Sequence, residues 1–206
     1  MSNIIDISLP ISANMPTYPG TTPTQIREVR SGSGTSVLSE ISLTSHAGTH
    51  IDAPSHSVPG TKSIDALPLD LFYGPCRVLD LTACKEAITE ADLQAHAIQK
   101  NERVLFKTSN SLRDFDAFFD DYIYLEAQAA RYLSDLGVLL VGIDSLSIKQ
   151  RGAPDNTAHT ALLSKDIPIL EGIRLGSVEP GNYTLIAFPL AFRDIDGSPV
   201  RAILTK

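Results

Sequence analysis

The stretch Ser45 to His56, S-H-A-G-T-H-I-D-A-P-S-H, constrains this chain more than any other. Three of its five histidines, His46, His50 and His56, fall inside these twelve residues, with Asp52 among them. Neutral imidazole nitrogen and carboxylate oxygen are the donors that zinc, manganese and related divalent ions take from proteins. On a helix His46 and His50 would share a face at i, i+4. Gly48 between them and Pro54 just beyond disfavour that helix. The stretch therefore reads as a turn or loop leaving a strand. In extended backbone His50 and Asp52, at i, i+2, put their side chains on one side. Gly48 permits a tight bend, and Thr49 and Ser55 are expected to supply hydrogen bonds that orient the ligands. The plain alternative is a polar turn with exposed histidines, but three histidines and an acid rarely cluster without chemistry.

Size and charge exclude several classes. A chain of 206 residues is expected to form a single domain over 1–206, large enough for a substantial core. A net charge of −7 with no Lys/Arg run argues against a nucleic-acid surface. No apolar stretch reaches the roughly 18 residues of a membrane span, and MSNIIDISLP shows no basic n-region followed by an apolar run, so no secretion signal is expected. Cys76 and Cys84 are too few for a disulfide framework, so reduced thiols and a cytoplasmic location are expected.

Patterning predicts strands at Ile4–Leu9, Gln25–Val29 and Val37–Thr44, the last delivering the histidine stretch at its end. Between the first two, Tyr18 is held among prolines, either as a rigid wall for a ligand or as a surface aromatic. Ser31 to Thr35 is predicted to be a hairpin turn, and Ser33 lacks the spacing of a hydrolase nucleophile. Further strands are expected at Arg77–Leu81, Arg103–Lys107, Tyr122–Leu125, Val138–Ile143, Ile167–Leu170, Tyr183–Leu190 and Val200–Leu204. Thr89-Glu-Ala-Asp92 opens a predicted helix reaching about Gln99 and carrying His96, which reads as an ordinary histidine. Glu126–Leu136 is predicted as a helix closed by Gly137, and 122–143 as a strand–helix–strand unit. Thr157–Ser164 is a short predicted helix carrying His159. Asp114, Asp116, Asp120 and Asp121 form an acidic run read as a solvated turn, and Asp196-Gly197 is read as a turn between the last two strands.

The run H-A-G-T-H-I-D-A-P-S-H at 46–56 resembles the motif of the cyclase family, which includes kynurenine formamidases and isatin hydrolases. The resemblance continues through Ile64–Asp70, Gly142–Asp144, Ala158-His159, Ile169–Gly172, Val178–Gly181 and Ser198–Leu204, and so covers nearly the whole chain. It implies an α/β fold, a single domain with a mixed, barrel-like sheet flanked by helices, assembled as a homodimer or higher homo-oligomer. It further implies two divalent ions per subunit, zinc or manganese. His46, His50 and Asp52 would hold the first. Asp52 would bridge to a second completed by His159 and Glu171, and Glu171 is a further bridging candidate. His56 falls at the family's catalytic acid/base. Taken alone, His159 and Glu171 read as a helix-surface histidine and a strand-end carboxylate. Tyr18 falls where kynurenine formamidases carry a substrate-contacting tryptophan, and this chain contains no tryptophan.

The expected activity is thus metal-dependent hydrolysis of a small-molecule amide, an N-formyl aromatic amine such as N-formylkynurenine. A divalent ion lowers the pKa of bound water from about 15.7 to about 7, so hydroxide is available at neutral pH for attack on the amide carbonyl. His56 would carry the proton to the leaving nitrogen, a task suited to a side chain with an ordinary pKa near about 6.5. The alternatives are a cyclic-amide hydrolase of the isatin type, a cyclase or dehydratase of the same family, and a metal-dependent binding protein without turnover. A binding protein would not need His56.

Overall fold

Short, strongly apolar runs separated by turn residues dictate the architecture, and the computed structural model describes residues 4–30, 34 and 36–206 of it. β1 (Ile4–Asp6) opens the chain. β2 (Gln25–Arg30) and β3 (Val37–Ser42) form an antiparallel ribbon of their own, with nearly every residue exposed. The turn expected at Ser31 to Thr35 lies, Gly34 apart, outside the described residues, as does Ser33. Nor does β3 lead straight into the site: it ends at Ser42, and His50–Asp52 forms its own fully buried strand, β4.

β5 spans Tyr73–Asp80, four residues earlier than predicted and including Pro75. Proline is tolerated because this first half pairs only with β11 (Gly181–Ile186), while the parallel partner β7 (Arg103–Lys107) engages from Arg77 onward. β6 (Ala87–Ile88) leads to α1 (Glu90–Gln94), which opens with the expected capping box between Thr89 and Asp92. The helix stops five residues short of the prediction, in a turn where Ala97 takes φ 48°. His96 therefore lies in that turn, half-buried, rather than in the helix.

β8 (Tyr124–Leu125), α2 (Ala127–Leu136) and β9 (Leu140–Ile143) occur in the predicted order. They are not one βαβ unit, however, because β8 pairs with β6 in a separate two-stranded sheet. α2 ends at Gly137, whose φ of 77° is left-handed. α3 (Thr157–Leu163) and β10 (Ile169–Glu171) follow. β12 (Gly197–Pro199) then replaces the expected turn at Asp196-Gly197, and β13 (Ile203–Thr205) closes the chain.

The main sheet runs β1-β13-β11-β5-β7-β9-β10-β4-β12 and mixes parallel and antiparallel pairs. It curls back on itself: just past β1, Ser8 bridges to Ile173 beyond β10, and the Arg174 N–H donates to the Ile7 carbonyl at 2.7 Å. Leu105, Leu140, Leu170, Ile51, Leu185 and Leu204 fill the inside of the curl. Alternate residues of the same strands, Val104, Phe106, Val141, Ile143 and Ile169, face the helices and pack with Leu133 and Leu162. A sheet covered on both faces in this way explains the unbroken apolar runs of the central strands. At Gly142 a methyl group would collide with Leu105.

Candidate metal centre and cleft

The site forms where β4, β10 and β12 lie side by side. β4 directs Ile51 into the core, and His50 and Asp52 to its other face. Antiparallel register sets Glu171 of β10 opposite His50, and Gly197 of β12 opposite Asp52. α3 adds His159, which is 4% exposed rather than on a helix surface, and Glu171 is equally withdrawn at 2%. His50 Nε2 lies 3.3 Å from an oxygen of both Asp52 and Glu171. His159 Nε2 lies 3.3 Å from Glu171 and 3.5 Å from Asp52. A turn at Thr44–Gly48 brings in His46, and a 3-10 turn at Pro54–His56 brings in His56. All six candidate side chains thus meet in one place.

Four of them are buried, and that decides what they need. Burial favours neutral groups, yet Asp52 and Glu171 are both held below their ordinary carboxylate range by the imidazoles around them. Burial opposes charge on His46 and His50 too. The Asp52 charge and hydrogen bonds to Asp196 and Asp52 override it and raise His46 to about 10, and the flanking Asp52 and Glu171 carboxylates raise His50 to about 9. His50 Nε2 and Asp52 Oδ2 nonetheless have no hydrogen-bond partner. His50 Nδ1 donates to the Gly48 carbonyl at 2.9 Å, which makes Nε2 the nitrogen that faces the two carboxylates. This nitrogen and oxygen set fits a divalent cation. Among the described residues two groupings have donors close enough for an ion, His50-Asp52-Glu171 and His46-Asp52-His56, with Asp52 common to both.

The supporting contacts differ from expectation. Thr49 does not touch a donor side chain: its hydroxyl donates to the Gly172 carbonyl at 2.6 Å and accepts from the Leu9 N–H at 2.7 Å. It holds backbone in place beside Glu171 instead. The Ser55 hydroxyl has no hydrogen-bond partner. Glu171 is fixed by the Ile148 N–H at 2.6 Å. The residue that sequence reading missed is Asp196, whose carboxylate meets His46 Nε2 at 2.8 Å, Ser45 Oγ at 2.8 Å and His56 Nδ1 at 3.5 Å. An Asp-Gly pair is the usual mark of a turn, and no local pattern separates it from a site carboxylate.

The cluster opens into a cleft of about 600 Å³, lined by His46, His50, His56, His159, Lys149 and Tyr18 among others. Tyr18 packs edge-on to Phe118 at 5.3 Å, and Arg151 lies over its ring at 5.2 Å. The acidic run stays outside, where Asp120 and Asp121 form exposed pairs with Arg151 and Arg113.

A curled mixed sheet with a buried histidine–carboxylate cluster at a cleft defines the class, an α/β protein built around a candidate metal centre. Residues 5–150 match the family model described as putative cyclase. Kynurenine formamidase of Bordetella avium is 39% identical over 100% of this chain and 99% of its own, and that of Bacillus cereus is 36% identical over 98% and 97%. A solved structure described as a potential metal-dependent hydrolase with cyclase activity superposes with a TM-score of 0.90 at 36% identity, covering 100% of this chain and 98% of its own. An isatin hydrolase bound to thioisatinate shares the fold at a TM-score of 0.89 and 21% identity, over 100% and 92%. The chain belongs to the cyclase family.

Proposed function

We propose that this protein is a metal-dependent amidohydrolase acting on an N-formyl aromatic amine such as N-formylkynurenine. The observation that carries the reading is the buried cluster of His50, Asp52, Glu171 and His159, with partnerless donor atoms, at the floor of a cleft. The formamidase relatives at 36–39% identity supply the substrate class. His46, His50, Asp52, His159 and Glu171 are the residues that would hold divalent metal, two ions sharing Asp52, zinc and manganese both suiting the donors. A bound divalent ion supplies a Lewis acid for the carbonyl and lowers the pKa of water.

The chain's own groups do the rest. His56 is 29% exposed, at the cleft, and Asp196 occupies its Nδ1 side, so Nε2 is the nitrogen free for proton transfer. It takes the proton from water as the oxygen adds to the formyl carbon, then gives it to the amine nitrogen as the C–N bond breaks. Formate and the free aromatic amine leave. Tyr18, backed edge-on by Phe118, gives the cleft an aromatic wall suited to the substrate ring. Tyrosine in place of the usual tryptophan keeps one second reading alive, hydrolysis of a cyclic amide of the isatin type. Turnover of N-formylkynurenine and of isatin by the metal-loaded protein, compared side by side, decides between them. Hydrolysis of neither would sink both readings.

We also propose a cytoplasmic homo-oligomer formed by one domain over 1–206. Two free cysteines fit a reducing compartment. Ile26, Val37, Leu38 and Ile41 of the exposed ribbon, with Phe188, Leu190 and Phe192, are exposed apolar side chains of the kind that a second copy would cover.

A further inference from the structure

We propose that Asp196 is a positioning residue: it holds His46 by Nε2, so that Nδ1 is the nitrogen turned to metal, and it holds His56 by Nδ1. The inference rests on the reading of a metal centre at Asp52. His46 has a carboxylate at each nitrogen, Asp52 Oδ1 at 2.7 Å from Nδ1 and Asp196 Oδ2 at 2.8 Å from Nε2. A cation can take only one of these nitrogens, and the other must keep its proton. Surroundings decide which. Asp52 is fully buried and also faces His50 and His159, so its side of His46 is the centre of the donor cluster. The Asp196 side chain is 43% exposed and stands at the rim. Its second oxygen is already taken by the Ser45 hydroxyl at 2.8 Å. That is the arrangement in which a carboxylate fixes the tautomer and orientation of a ligating histidine.

The backbone is shaped for the same contact. The Asp196 carbonyl accepts from the Ala53 N–H at 2.9 Å, tying it to the histidine stretch. At Gly197 an added Cβ would sit 2.6 Å from the Ile51 carbonyl oxygen and 3.0 Å from His46 Cε1. Only glycine lets β12 pair with β4 this closely beside the His46 ring. The Asp-Gly pair is thus two halves of one device, a carboxylate to hold the ring and a missing side chain to admit it.

The test titrates metal-free full-length protein with Zn²⁺ against a chromophoric chelator, for wild type, Asp196→Asn and Asp196→Ala. Both variants are expected to reach the wild-type stoichiometry with affinity about 10–100-fold weaker. Affinity within twofold of wild type overturns the proposal. Loss of a whole equivalent at saturating Zn²⁺ also overturns it, because Asp196 is then a ligand. A wild-type protein that binds no stoichiometric Zn²⁺ fails earlier, at the metal-centre reading itself. Nitrogen-15 spectra of the Zn²⁺-loaded wild type stand independently of how the variants fold. They should report a proton on His46 Nε2 and metal on Nδ1, and the reverse tautomer refutes the assignment. A residue that merely braced the fold would leave that signature unchanged in Asp196→Asn, whereas here the Nε2 proton should lose its protection from exchange.

Discussion

His50 and His46 are committed in different ways, and the difference has a measurable pH dependence. Their folded-state pKa values, about 9 and about 10, lie above the ordinary histidine value. In metal-free protein both rings are therefore protonated at pH 7, and metal must displace those protons. Affinity for metal should rise with pH to about 9–10 and level off beyond, with proton release visible by calorimetry in buffers of different ionisation heat. PH-independent affinity between 7 and 9 would contradict this. The sign for stability is opposite: charged rings stabilise metal-free protein fully below the ordinary histidine pKa, and that contribution is lost as pH climbs through 9 and 10. His56 makes a separate prediction. His56→Ala should retain metal and fold while kcat falls by about 10²–10⁴-fold and KM changes far less. Metal content and kcat belong on one preparation, because joint loss of a metal equivalent would make His56 a ligand.

At the scale of elements, strand register and turn glycines place the chemistry. Gly172 follows Glu171 at φ 71°, and an added Cβ would approach the Gly48 carbonyl oxygen to 2.6 Å. Gly172→Ala should push β10 from β4 and weaken metal binding, with a loss of about 1–3 kcal/mol in urea unfolding. Asp144, at the end of β9, accepts from the backbone and hydroxyls of Thr108 and Ser111 and from the Asn110 amide. Burial raises its pKa despite those bonds. Asp144→Ala leaves those donors buried without an acceptor and should cost about 3 kcal/mol or more, at about 1–3 kcal/mol per orphaned group. Such contacts set the limit of what sequence could reveal. The i, i+2 relation of His50 and Asp52 was legible because it is local and strand-periodic. His159 and Glu171 carry no spacing that ties them to residue 46, and family resemblance alone pointed to them. β12 was missed because three residues that start at the glycine of an Asp-Gly pair look like a turn until β4 is present to pair with them.

Across the whole molecule, the ribbon of β2 and β3 and the apolar side chains of residues 188–192 border a groove of about 850 Å³ lined by Ile26, Ile41, Leu43, Leu190 and Phe192. If a second copy covers this surface, light scattering will give a mass well above 22.2 kDa, and Ile41→Asp will shift it toward that value with the fold retained. A wild-type mass of 22.2 kDa at micromolar concentration rules the assembly out. Curling the sheet so that β12 lies on β4 also fixes an order in time. The histidine stretch leaves the ribosome long before the strand that completes its surroundings, and for that interval it is a flexible, metal-hungry peptide. Zinc supplied at the start of refolding should therefore be captured in wrong ligand sets and slow the recovery of native protein, whereas zinc added after the sheet has closed should load without delay. Stopped-flow refolding with the two orders of addition would separate these histories, and equal rates would mean that β12 docks before the cluster can trap an ion.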